Sequence, residues 1–169
     1  MSQPGFGRDV AGRLTPKVAR TLRVVSTAMG VGVLALAAAV VFVYGRGAGA
    51  EPSPQALIQA RLLTMVSLFG TLVAIFASEI VWRQQLLAAD AAAAAAQVPA
   101  AFIFRAALRE SAALLGAATA LRAAASGVLG AFPAYWVNFA PAALFAAFLR
   151  AHWPSDERLK AEVEAALGG

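Results

Sequence analysis

The chain has 169 residues, of which 60% are hydrophobic and 14% charged, with a formal net charge of +5 and no cysteine. Soluble domains carry roughly 25% charged residues, so this composition excludes a chain that covers itself with polar surface in water. The missing thiol excludes disulfides, thiolate metal sites, cysteine nucleophiles and iron–sulfur clusters.

Residues 1–23 form a basic leader holding Arg8, Arg13, Lys17, Arg20 and Arg23. Thr15 before Pro16 reads as an N-cap and first helical position, so a helix is expected to start outside the lipid with its basic residues at headgroups rather than on nucleic acid. Val24 to Tyr44 then runs for 21 residues without a charge. At about 1.5 Å per residue it reaches roughly 31 Å, the thickness of a bilayer's hydrocarbon. Ala48, Gly49 and Ala50 resemble a signal-peptide cleavage site, but secretory apolar cores are shorter, and a retained span is expected.

The stretch GRGAGAEPSP predicts an irregular turn. Leu62 to Trp82 is the second expected span, with Glu79 near its end. Leucine, isoleucine, valine and phenylalanine each favour insertion by about 0.3 to 0.6 kcal/mol, which easily carries one terminal carboxylate. Ala88 to Gln97 is too weakly apolar to span and reads as a helical extension on the same side as Arg83.

The third segment, 101–125, carries Arg105, Arg109 and Glu110 in its first half. An arginine at the bilayer centre costs about 2.5 to 3.5 kcal/mol, so this segment is expected to span only when neighbouring helices hold it. At 100° per residue, Ala106, Glu110, Ala113, Ala117, Ala120 and Ala124 share one face with Gly116 beside them, and Phe104, Leu108 and Leu115 take the other. The small face suits close helix contact and the large face acyl chains. Gly30, Gly32 and Gly70 are further candidate packing positions. The fourth segment, 128–149, contains Pro133, Asn138 and Pro141 and is expected to be a kinked span. Tyr135, Trp136 and Trp153 are placed as interfacial rings, with His152 beside them.

Residues 151–169 predict a tail helix capped by Ser155, striped by Leu159, Val163 and Leu167, ended by Gly168, and lying on the membrane surface. Arg83, Arg105, Arg109, Arg150, Arg158 and Lys160 join the leader on one side, against Arg46, Arg61 and Arg122 on the other. Positive residues gather in the cytoplasm, so the expectation is an all-α polytopic transmembrane bundle, 24–150, with four spans and both ends cytoplasmic in a bacterial inner membrane.

That topology brings Glu79, Glu110, Arg83, Arg105 and Arg109 into one leaflet. Intramembrane carboxylates can mark ion or proton pathways, but three arginines beside two acids favour neutralising pairs, with Glu110 expected on Arg105 one turn below or near Arg83. No metal site or cofactor is expected, and Glu79, Glu110, Asn138 and His152 form no recognisable reaction set. The segment ALRESAALLG, Ala107 to Gly116, resembles the carboxylate-bearing helix of the proteolipid (c) subunit of rotary ATP synthases, which implies an ion-carrying role for Glu110. The resemblance covers about ten residues, with Gly30 and Gly32 standing for the glycine repeat of that family's partner helix. More generally the chain is similar to small bacterial four-helix membrane proteins. The expected role is a non-enzymatic structural or assembly component, as a homo-oligomer or beside other membrane subunits in the lipid bilayer; the alternative is an ion- or proton-translocating subunit.

Overall fold

Three long apolar stretches become three long helices, and a computed structural model describes residues 5–47, 51–87 and 90–167. The described residues form an all-α bundle without strands. Helix α1 is Phe6–Gly12, α2 is Pro16–Gly47, α3 is Pro54–Leu86 and α4 is Ala91–Ala125. Each of the last three is long and apolar enough to cross a membrane. With 32, 33 and 35 residues, each exceeds by a dozen or more the roughly 20 that a hydrocarbon core requires. Helix starts follow local chemistry. Pro16 opens α2. Ser53 caps α3 by accepting from the Ala56 amide at 3.2 Å, with Pro54 in the first turn. Asp90 caps α4 by accepting from the Ala93 amide at 2.8 Å. The helix therefore runs unbroken from the alanine-rich stretch through Pro99 into the third predicted segment.

The segment that is weakest by insertion chemistry is the centre of the bundle. One third of the most apolar window of α4 is buried, against 17% for those of α2 and α3, because α4 lies between them. Alanine is too small to drive insertion but well suited to close packing. Ala106, Ala113, Ala117, Ala120, Ala124 and Gly116 are all buried, whereas Phe104 and Leu115 point outward. The buried face of α3 answers with small polar residues, Ser67, Thr71 and Ser78, whose hydroxyls need little room; those of Thr71 and Ser78 donate to their own helix. Contacts from Arg122 to Gln59, Leu115 to Gly70 and Arg105 to Glu79 set α3 antiparallel to α4. Gly32 beside Glu110 sets α2 parallel to α4. Val24, Trp82 and Phe102 therefore share one level of the bundle, and Tyr44, Leu62 and Arg122 share another.

The fourth segment is not one kinked helix. It consists of a four-residue helix α5, Val128–Ala131, a 3₁₀ helix, Pro133–Phe139, and α6, Ala140–Ala151. Phe132 precedes Pro133 and adopts φ −133°, ψ 88°, because a following proline disfavours the helical region; the chain breaks there. Pro141 causes no break, since it falls in the first turn of α6, where no amide partner is lost. The 3₁₀ helix and α6 pack along α4 between α2 and α3.

Helix α7, Asp156–Leu167, begins as expected after Ser155, whose hydroxyl accepts from the Arg158 amide at 3.3 Å. Its stripe of Leu159, Val163 and Leu167 is buried inside the protein rather than free for a membrane surface. The reason is α1, a short helix within the basic leader, ahead of the helix start expected at Pro16. Gly7 has no side chain, so the backbone of α7 can approach until a methyl on Gly7 would stand 3.2 Å from Glu164 Cα. Val10, Leu14, Leu22, Leu86, Ala94 and Val98 join the stripe in one hydrophobic cluster. A cap of α1, α7 and the start of α4 therefore closes the end of the bundle that carries both α1 and α7. Val40, Ala60, Ala120, Ala124, Val128 and Leu129 close the other end. Gly168, the alanine–glycine–alanine run at 48–50 and Ala88 lie outside the described residues.

Candidate functional site

Where the cap meets the bundle, four helices send polar side chains to one point. Arg105 on α4 is the hub, with its side chain only 6% exposed. Its Nη2 donates to both Glu79 oxygens, at 2.7 and 2.9 Å, and its Nε donates to Glu79 Oε1 at 3.0 Å. The remaining arm, Nη1, donates to Glu162 Oε2 on α7 at 3.0 Å. Arg109, one turn further along α4, donates to Glu79 Oε1 at 2.6 Å and to Ser78 Oγ at 2.9 Å. Glu162 Oε1 in turn lies 2.9 Å from His152 Nδ1 at the end of α6. The planar fork of a guanidinium can serve two carboxylates at once, which a lysine could not do with the same geometry.

Aromatic rings enclose these charges. The Arg105 guanidinium carbon sits 5.4 Å from the centre of the Trp82 ring and 5.2 Å from that of Phe148. That of Arg109 lies 4.4 Å over Phe148, whose other neighbour is the His152 ring at 4.8 Å. A cation over an aromatic face gains electrostatically while apolar atoms exclude water. Two arginines and two glutamates cancel, so the cluster is held together by multiple charge-assisted bonds with no net charge to desolvate.

Of the five charged residues singled out in the sequence, the structure brings together Glu79, Arg105 and Arg109 and leaves two apart. Arg83 is exposed, with no ion pair among the described residues. Glu110 does not pair with Arg105, whose donors are taken by Glu79 and Glu162, nor with Arg83. Its carboxylate instead faces α2, where a methyl on Gly32 would lie 3.8 Å from Oε1, and it has no ion-pair partner among the described residues. Glu162 was not anticipated. Its one sequence signal is its place beside Val163 on the flank of the tail stripe, which has meaning only once α7 folds back on the bundle.

The packing positions are also distributed. Gly30 faces Leu149, Gly32 faces Glu110, Gly70 faces Leu115, and Ala113 and Ala117 are fully buried. Gly116 is the tightest: a methyl there would stand 2.5 Å from the Asn138 carbonyl oxygen. Asn138 is itself buried and donates to Thr64 Oγ1 at 3.0 Å and to the Tyr135 carbonyl at 2.9 Å. These small residues thus seat the chain's own helices against one another.

Chemically, the cluster offers strong tethers rather than a free nucleophile or base. Glu79 Oε1 alone accepts from three guanidinium nitrogens. Comparison with protein families, with curated proteins and with solved structures gives no match to this chain.

Proposed function

We propose that this chain is a non-enzymatic, multi-pass membrane protein that serves as a structural or assembly component of a membrane complex. The observation that carries the reading is the use of its intramembrane charges on itself. Glu79, Glu162, Arg105 and Arg109 tie α3, α4 and α7 together, while α3 turns Ile58, Met65, Phe69, Leu72, Phe76 and Ile80 outward. A scaffold needs that combination of internal rigidity and a broad apolar face for lipid or a neighbouring subunit.

In the same reading, the fourth segment returns across the membrane and both ends are cytoplasmic. The contact between α1 and α7 at the arginine-rich end supports this orientation, as does the positive-inside rule. Reporters fused after Gly169 and before Phe6 should then be cytoplasmic, and one inserted near Ser53 exported. Opposite locations for the two ends would overturn the four-span arrangement. For the role itself, the purified protein in liposomes should pass protons and monovalent cations no faster than protein-free vesicles.

The isolation of Glu110 favours a second reading, an ion- or proton-translocating subunit. A carboxylate inside a span with no cation to neutralise it is the arrangement that the resemblance to proteolipid (c) subunits implies, and Glu110 has it on the seam with α2. Flux through the parent protein that Glu110→Gln removes, with melting unchanged, would establish that reading in place of the first.

A further inference from the structure

Helix α6 leans on α4 and leaves an open groove between itself and α2. The groove has a volume of about 420 Å³ and an apolar lining that includes Gly30, Val33, Ala37, Ala143, Ala146 and Leu149. Phe139 also lines it and stacks on Trp136 with ring centres 5.4 Å apart, and Trp136 meets Tyr44 edge-on at 5.3 Å. The α2 wall of the groove runs from Gly30 to Ala37, a rise of roughly 10 Å, about a third of the roughly 30 Å hydrocarbon thickness. A transmembrane helix would need a surface about three times as long. A groove of this length fits part of the acyl chain of a lipid in one leaflet.

The mouth of the groove is basic. Arg23 lies seven residues before Gly30, hence on the same face of α2, and Arg150 follows Ala146 by one turn of α6. Arg158 joins them, because its Nη1 donates to the Arg150 carbonyl at 3.1 Å and is thereby held at the end of α6. All three side chains are exposed, and none has a carboxylate in ion-pairing range among the described residues. Trp153, 38% exposed, follows Arg150 by three residues, and indole rings favour the interface between lipid and water.

We infer that the groove between α2 and α6 binds one lipid of the leaflet facing the cap, its acyl chain against Leu34, Ala37 and Ala146 and its anionic phosphate on Arg23, Arg150 and Arg158. The inference requires that the chain sits in a bilayer with the cap at one surface, but it does not depend on which function the bundle serves.

The test is lipid retention by the purified full chain, measured by native mass spectrometry after titration with phosphatidylglycerol or phosphatidylcholine of identical acyl chains. One phosphatidylglycerol per chain should be retained in preference to phosphatidylcholine. Arg23→Gln and Arg150→Gln should each lower that preference by roughly fivefold. Ala146→Phe should abolish retention of either lipid by filling the groove. Because Ala146 and Ala143 are both exposed, neither substitution disturbs a packed interface, and Ala143→Phe repeats the test if one variant is poorly produced. Equal retention of the two lipids by the parent protein would overturn the headgroup assignment. Unchanged retention in both groove-filling variants would overturn the site, as would a dimer in which Ala146 is shielded by a second copy.

Discussion

Replacing Gly116 by alanine tests where the 3₁₀ segment lies against α4. In the middle of a helix, alanine is ordinarily better than glycine by about 1 kcal/mol. Here the new methyl would stand 2.5 Å from the Asn138 carbonyl oxygen and 2.9 Å from Pro141 Cγ. Neither neighbour can yield cheaply. The carbonyl belongs to a backbone whose Asn138 side chain is tied to Thr64, and the proline ring is part of the first turn of α6. Overpacking of this kind costs about 1 to 3 kcal/mol, and so severe an overlap belongs at the upper end. Subtracting the propensity gain leaves a net loss of about 2 kcal/mol, which lowers the melting temperature by roughly 4 to 8 °C for a chain of this size. Tryptophan fluorescence melts in one detergent would read this, since Trp136 sits in the same 3₁₀ segment. Gly70→Ala is the control, because its methyl would meet only Leu115 Cδ2 at 3.8 Å, an ordinary contact, and it should melt at or above the parent. Gly116→Leu should exceed Gly116→Ala in the same direction, with the oligomeric state unchanged because the face is covered by the chain itself. If Gly116→Ala melts at or above the parent, the 3₁₀ segment does not pack on α4 as described.

Arg105→Gln should destabilise by about 3 kcal/mol, the lower end for breaking a buried ion pair because Glu79 is partly exposed, whereas Arg83→Gln should change stability by less than about 0.5 kcal/mol in the same detergent melts. Glu110→Gln, with no partner to lose, should likewise melt within about 0.5 kcal/mol of the parent; a loss of several kcal/mol would mean that an ion pair to Glu110 exists. Gly7→Leu should release α7 without unfolding the bundle, so limited proteolysis between Trp153 and Arg158 should accelerate while the main melting transition stays in place. Thr64→Val should cost about 1 kcal/mol by leaving the Asn138 amide one acceptor short, as measured by thermal melting.

Two of the three long helices were legible because their signal is additive: 21 uncharged residues from Val24 exceed a secretory apolar core, and Leu62 to Trp82 carries one terminal acid, whereas Arg105, Arg109 and Glu110 weakened the signal of the third. The small face of the third segment was legible too, since Ala106, Ala113 and Ala117 repeat at helical spacing. Two things were not. The break at Phe132 depends on a proline at the next position, but Pro133 and Pro141 look alike in the sequence, and only their places relative to a helix start separate them. The partners of Arg105 depend on the return of α7, 57 residues away from Arg105 to Glu162, and periodicity carries no information at that range. The sequence therefore suggests Arg105, one turn below, or Arg83 as the partner of Glu110, whereas Arg105 turns to acids on α3 and α7.

The pairing of α1 with α7 also sets an order of events. Most of the chain separates Gly7 from Glu164 and Leu167, so this contact joins elements far apart in sequence and needs a very long loop to close. During synthesis α1 emerges well before α7, and until α7 follows, Val10 and Leu14 lack the partner that buries them. Closure of the cap, sealed by Arg105 on Glu162, therefore waits until α2, α3 and α4 have all been made. Any machinery that inspects nascent membrane proteins for exposed apolar surface would find α1 open until α7 has emerged, and covered afterwards.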